Sequence, residues 1–173
     1  MGKRIVIVVL LIVMVVAALY SILGGGGDIK FEVVTLQDLY IKGHAFKGNY
    51  NSPKAEELFF AAKNQAEINP NASLTIVSYP SKDKGKTIHQ FIGASSVKDS
   101  VASLEGELLH IPSQQVIQAT ISAHNLVMPT PNAVREQAQA FASANGYELD
   151  SISIEHYKSD RELQVTFLVY NKP

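Results

Sequence analysis

The sequence contains no cysteine and no tryptophan. The first absence excludes disulfides, thiolate nucleophiles, cysteine-ligated zinc and a lipidated cysteine. Charge is missing from one long stretch, since no Asp, Glu, Lys or Arg occurs between Ile5 and Leu23. Basic charge of the kind that grips nucleic acid is scarce as well. Lys3 and Arg4 precede the uncharged stretch, and removing them from the fifteen basic residues leaves thirteen against sixteen acidic ones. That balance offers no footprint for a phosphate backbone, so no nucleic-acid partner is expected. The one local cluster, Lys82, Lys84 and Lys86, alternates with Asp83 and Gly85 and reads as a solvated turn.

Metal and cofactor chemistry find no pattern either. The histidines at 44, 89, 110, 124 and 156 show no pairing one helical turn apart, and no metal site is expected from them. Gly93-Ala94-Ser95 lacks the second glycine of a nucleophile elbow. No glycine loop sits between a strand and a helix to cradle phosphate. The expected cofactor is therefore none.

What is present begins with the uncharged run itself. Ile5 to Leu23 is almost unbroken Ile, Val, Leu, Met and Ala, and as a helix it would run about 28 Å, the depth of a hydrocarbon core. Tyr20 and Ser21 near its end suit the interface. A cleaved signal is the competing reading, but the run is long for one and Leu19 to Gly27 offers a poor cleavage site. The expectation is a single-pass transmembrane helix over 5–23. Residues 1–4 would be its cytoplasmic tip, because Lys3 and Arg4 set the positive side. Residues 24–29 would be a glycine-rich linker, with Gly24 to Gly27 a flexible leash. Residues 30–173 would be one domain on the non-cytoplasmic side, large enough to fold on a core alone.

Inside that domain two segments read as amphipathic helices. Each opens with a hydroxyl cap and a proline, Ser52-Pro53 and Thr130-Pro131, 78 residues apart. Ala55, Leu58, Phe59, Ala62 and Ala66 share one helical face, as do Val134, Ala138, Phe141 and Ala142. The same offset pairs Ile76 with Ile154 and Tyr79 with Tyr157. Strand signals repeat around each helix: Leu39 to Lys47, Leu74 to Tyr79 and Thr87 to Ala94, then Gln115 to Ala123, Ser151 to Tyr157 and Leu163 to Tyr170. The order strand, helix, strand, strand, twice over, predicts a duplicated unit and an α+β fold with antiparallel sheet and two helices on one face. Hairpin turns are expected at Pro80 to Lys86 and Lys158 to Glu162.

Four stretches then carry a likeness: Phe46-Lys47-Gly48-Asn49-Tyr50 before the first helix, Ile111-Pro112, Gly146-Tyr147-Glu148-Leu149, and Ile154-Glu155-His156-Tyr157. In their order and spacing the chain resembles the GyrI-like, or bacterial transcription activator effector-binding, domains over about residues 30–171. The resemblance implies a groove between the two halves, lined by aromatic side chains, with Glu155 as an acidic residue facing it. The sequence departs from the family where Ser113-Gln114 replaces a glycine, where His124-Asn125-Leu126-Val127 replaces a basic-Gly-Pro-Tyr stretch, and in having no tryptophan.

Strand alternation places Ser151, Ser153, Glu155 and Tyr157 on one face and Ile152, Ile154 and His156 on the other. On that pattern alone Glu155 faces water beside two serines; with the resemblance it faces the groove, where a carboxylate among rings holds an organic cation. The candidate ligand-binding residues are Glu155, Tyr157, Tyr79, Tyr50 and Phe91, with Tyr79 as the repeat mate of Tyr157. The leading expectation is a membrane-anchored binding module for a small organic ligand, a lipophilic cation among the candidates. A second is a hydrolase of strained electrophiles, with Glu155 as base and Tyr157 or Tyr79 as orienting donor. A third is a structural protein of the envelope.

Overall fold

In the computed structural model, which describes residues 2–80, 87–96, 98–124, 127–159 and 161–171, a helix α1 (Gly2–Ile22) precedes eight strands and three further helices. The strands are β1 (Lys30–Leu36), β2 (Leu39–Gly48), β3 (Ser73–Tyr79), β4 (Ile88–Ser96), β5 (Glu107–Ile111), β6 (Gln114–Ser122), β7 (Tyr147–Ser159) and β8 (Glu162–Asn171). The helices are α2 (Pro53–Ile68), the single turn α3 (Lys98–Val101) and α4 (Pro131–Ala144). The expected lysine turn at 82–86 lies outside the described residues, as do Asn125, Leu126 and Asp160.

All eight strands form one antiparallel sheet in the order β1-β6-β8-β7-β3-β4-β2-β5. Exchanging β1 with β5, β2 with β6, β3 with β7 and β4 with β8 reverses that order into itself. The unit is therefore duplicated about an axis between β7 and β3, as the repeated strand, helix, strand, strand pattern predicts. Each half also has an opening strand that sequence reading passes over. β1 of the first half bonds to β6 of the second, and β5 of the second bonds to β2 of the first.

Those opening strands force the sheet to curl. β1 and β2 lie six places apart in the sheet, about 29 Å if it were flat, yet only Gln37 and Asp38 join them. Three Cα steps reach at most about 11 Å. The same conflict recurs between β5 and β6, joined by Pro112 and Ser113. The two ends of the sheet must therefore approach each other on the face away from the helices. Asp38 ties the two turns together: its Oδ1 accepts from His110 Nε2 at 2.8 Å and from the Ser113 backbone N–H at 3.3 Å. In the pairing of β2 with β4, Gly43 lies opposite Gly93. A Cβ on Gly43 would come 2.1 Å from the Ile92 carbonyl oxygen, so the backbones there tolerate only hydrogen.

Both major helices pack on one sheet face. Ser52 Oγ accepts from Lys54 N–H and Thr130 Oγ1 from Ala133 N–H, with Pro53 and Pro131 as the first helical residues. α2 lays Ala55, Leu58 and Ala62 on Leu74, Ile76 and Ile92. α4 lays Val134 and Ala138 on Ala119, Ile121, Leu163, Val165 and Phe167. A third cluster, Ile41, Val77, Phe91, Ile111 and Ile154, fills the curled side.

The offset of 78 does not survive from helix to strand. Ile76 packs under α2, whereas Ile154 packs in the cluster on the curled side. α2 has 16 residues and α4 has 14, with different connections to the following strand. A change of one residue in strand register moves every side chain to the other face. Tyr79 and Tyr157 are consequently not equivalent.

α1 is exposed along its length, with every side chain from Ile5 to Ile22 open. The glycines that follow form turns. Gly25 N–H donates to the Tyr20 carbonyl at 2.8 Å, and His124 N–H donates to the Leu23 carbonyl at 2.8 Å. Gly24, at φ 83°, lies against Ser122 and Ala123 at the end of β6. Only glycine takes that conformation and that approach without strain.

Candidate functional site

The sheet face between α2 and α4 is left open at β7 and β3, and a groove runs there. Its larger lobe, about 600 Å³, lies under α2 and is walled by Phe59, Phe60, Ile76, Ile88 and Gln90. Its smaller lobe, about 420 Å³, lies against α4 and is walled by Met128, Arg135, Ser153 and Phe167. Tyr50, Pro131, Glu155 and Tyr157 border both lobes. Glu155 and Tyr157 therefore stand on the ridge between them, on β7, and Tyr50 stands at the rim.

The register of β7 explains the placement. Glu155 sits between Ile76 of β3 and Val165 of β8, and Tyr157 between Leu74 and Leu163. All four neighbours point toward the helices, so alternation sends Glu155 and Tyr157 the same way. The Tyr157 hydroxyl donates to Glu155 Oε2 at 2.9 Å. The Phe59 ring meets Tyr157 edge-on at 6.2 Å and Phe60 at 5.7 Å, an aromatic wall of the geometry that rings prefer.

The electrostatics of the ridge are unbalanced. Burial raises the Glu155 carboxyl above its ordinary value, and the Tyr157 hydrogen bond lowers it only in part. Burial first, then the neighbouring Glu155 charge, pushes the Tyr157 phenol up, so it stays a donor. Among the described residues no Lys, Arg or His forms an ion pair with Glu155. Arg135 borders the smaller lobe, but its guanidinium is spent on the backbone, donating to the Asp150 carbonyl at 2.9 Å and the Ser151 carbonyl at 2.5 Å. Both helix N-termini approach the groove, and the positive ends of their dipoles favour anions. The prolines remove one donor each and the caps occupy another, while Glu56 of the first turn adds a second carboxylate to the lining.

The structure thus brings Glu155, Tyr157 and Tyr50 together and sends the other two candidates elsewhere. Tyr79 and Phe91 lie on the curled face, Phe91 in its core and Tyr79 tilted over His89 at 4.8 Å. The odd shift of register is the reason for Tyr79. Phe91 pairs with Val77 and Ala45, one residue out of phase with the groove-facing Ile92. Sequence reasoning missed the roles of Phe59 and Phe60 as groove wall. The signal was there: consecutive residues of a helix point about 100° apart, so one of the pair must leave the core face, and Phe60 does, at 56% exposure. Among the described residues no cluster of three His, Asp or Glu offers a metal site.

No family model and no curated protein matches this chain. Solved structures do. The integron cassette protein VCH_CASS2 from the mobile metagenome of Vibrio cholerae is 10% identical with a TM-score of 0.55, over 82% of this chain and 97% of its own. The EcmrR C-terminal domain is 11% identical with a TM-score of 0.57, over 83% of this chain and 98% of its own. A hydrolase from Listeria innocua is 12% identical with a TM-score of 0.53, over 82% and 92%. At such identities the likeness is one of fold: a duplicated α+β domain whose architecture is that of the EcmrR C-terminal domain, here preceded by an apolar helix.

Proposed function

We propose that this chain is a membrane-anchored, GyrI-like receptor module that captures a lipophilic organic cation in the groove between its two halves. One observation carries the reading: among the described residues Glu155 is a desolvated carboxylate with a single hydrogen-bond donor and no ion-pair partner. Such a group is expensive to bury unless a charge comes to it. Tyr50, Phe59, Phe60 and Tyr157 present ring faces and edges around it, and rings beside a carboxylate favour a cation with apolar substituents over a hydrated one. Likeness in fold to the EcmrR C-terminal domain is consistent with the family assignment.

Anchoring is part of the proposal. Ile5–Ile22 is long and apolar enough to cross a bilayer, and a helix apolar all round with no protein against it calls for an apolar solvent. Lys3 and Arg4 ahead of it orient the domain to the non-cytoplasmic side. The test is calorimetric titration of the full chain in nanodiscs with benzyltrialkylammonium ions and their uncharged carbon isosteres. The cations should bind and the isosteres bind at least tenfold more weakly. Equal affinities would overturn the reading. A reporter fused after Pro173 should be accessible outside the cytoplasm.

A second reading is favoured by the hydrogen-bonded Glu155 and Tyr157 pair itself, since a carboxyl of raised pKa beside a phenol is a general acid and base in waiting. It is joined by the fold likeness to a protein described as a hydrolase. Turnover of an epoxide by the wild type, lost in Glu155→Gln, would establish it.

A further inference from the structure

The curled face of the sheet carries a row of polar side chains where its neighbours are apolar. Thr75, Ser95, His156 and Thr166 are all buried, in line with Ile41, Val77 and Ile154 on the same side. The row crosses five adjacent strands, from Ser95 on β4 through Thr75, His156 and Thr166 to Gln118 on β6. Burying such groups is unfavourable unless each finds a partner.

Half of the row satisfies itself. Thr75 Oγ1 lies 2.7 Å from Ser95 Oγ and 3.1 Å from both the Ser73 carbonyl and His156 Nδ1. The other half does not. Among the described residues, His156 Nε2, the Thr166 hydroxyl and the side-chain amides of Gln118 and Gln164 have no hydrogen-bond partner, and none is sealed away from solvent. All four border one cavity of about 300 Å³, roofed by the β1 to β2 turn. His156 and Thr166 are 7% and 1% exposed, so what little surface they show is turned into that cavity.

The chemistry of the lining limits what fits. The imidazole is neutral at physiological pH, because burial, helped by the charge of Lys158, holds its pKa down to about 4. Among the described residues no buried charge faces the cavity; Lys158 and Asp38 are exposed at its edge. Among the described residues no aromatic side chain other than the imidazole lines it, and these offer no platform for stacking a flat base. Hydroxyls, amides and one imidazole nitrogen supply donors and acceptors at close spacing, and Leu36 and Leu39 supply a short apolar wall. The volume is at the low end for small-molecule sites.

We propose that this cavity is a second binding site, separate from the groove, for a small uncharged polyhydroxylated molecule of monosaccharide size. Ring hydroxyls would complete the unpartnered groups of His156, Thr166, Gln118 and Gln164, and the C–H face of the ring would rest on Leu36 and Leu39. The site lies on the opposite sheet face from Glu155, so it stands whether or not the groove takes cations.

The test uses the full chain in nanodiscs with histidine side chains labelled for NMR, titrated with D-glucose, D-galactose and N-acetyl-D-glucosamine, with cyclohexanol as a control of like shape. At least one sugar should shift the His156 resonances in a saturable way, and cyclohexanol should not. Thr166→Val conserves shape and removes a hydroxyl without a protein partner. It should leave the fold at least as stable in thermal unfolding and weaken the sugar at least tenfold. Glu155→Gln should leave sugar binding unchanged. No saturable shift with any of the three sugars, equal shifts with cyclohexanol, or full sugar affinity in Thr166→Val would each overturn the proposal.

Discussion

The Tyr157 hydroxyl donates to Glu155 Oε2 at 2.9 Å from two residues further along β7, so both side chains leave the sheet on the same face and meet above it. Alternation makes the encounter unavoidable. It also leaves the pair unequal, because the phenol gains a partner while the carboxylate, with two oxygens and about four lone-pair sites, gains one donor only. Unmet acceptor capacity at the ridge of an aromatic groove is the feature from which the cation reading follows.

Replacing Glu155 by Gln deletes the charge and keeps the shape. For a partly desolvated ion pair the loss is on the order of 2 kcal/mol, some thirtyfold in affinity for a cationic ligand. Uncharged isosteres should change by less than threefold. Titration calorimetry of both variants with both ligands makes the comparison, and a loss of equal size for cation and isostere would point to a collapsed groove instead.

The raised pKa of Glu155 gives cation binding a pH dependence with a definite sign. Below the folded pKa the carboxyl is neutral and holds no cation; affinity rises as pH climbs through that value and then levels off. Tyr157→Phe removes the hydrogen bond that favours the charged form, so the rise should move to higher pH. Binding isotherms between pH 4 and pH 8 for the two proteins read the displacement. An unmoved profile would mean that the hydrogen bond does nothing for the carboxylate.

The fold was legible from the sequence to the extent that local signals carried it. Two caps with proline, Ser52-Pro53 and Thr130-Pro131, mark both helices, and alternation separates Glu155 from the buried Ile154, although that pattern alone reads Glu155 as facing water and only the family resemblance turns it to the groove. β1 and β5 were not legible. Phe31-Glu32-Val33-Val34 follows the glycine run closely and reads as its continuation, and β5 has only five residues. Both are defined by pairing with the other half of the chain, which no local pattern encodes. Tyr79 and Phe91 were misplaced for a related reason, since identity at a fixed offset says nothing about a slip of one residue between helix and strand.

His156 makes the domain sensitive to acid. Its pKa is depressed from 6.5 to about 4 by burial, so the unfolded chain binds a proton there that the folded one refuses. Stability from this group is fully present above pH 6.5 and is lost as pH falls toward 4, by about 3 kcal/mol at pH 4. Glu155 acts in the opposite sense, because its raised pKa makes the folded state lose stability as pH rises from 4.5. Urea unfolding at pH 7 and pH 4 should show a lower midpoint in acid, and His156→Gln should flatten that difference. An equal acid loss in the variant would assign it to other groups.

Arg135 holds the strand that carries Glu155. Between Leu149 and Ser153 β7 advances four residues while β8 advances two, from Val169 to Phe167. In that register Asp150, Ser151 and Ile152 have no paired residue on β8, and the Arg135 guanidinium donates to the Asp150 and Ser151 carbonyls while lying 5.4 Å from the centre of the Phe167 ring. Met in its place keeps the stem packed on Phe167 but leaves the carbonyls to water. Hydrogen bonds from a charged donor are worth about 1.5–3 kcal/mol each, and partial hydration of this half-exposed site returns some of that. A net loss of about 2 kcal/mol in urea unfolding is expected for Arg135→Met. Arg135→Lys, a point donor that cannot span both carbonyls, should recover less than half. Because Ser153 and Glu155 follow the irregular stretch directly, the cation affinity of Arg135→Met should fall several-fold although Arg135 repels a cation by its charge. An affinity that rises on losing Arg135 would show that repulsion, and not the positioning of β7, is what the side chain contributes to the groove.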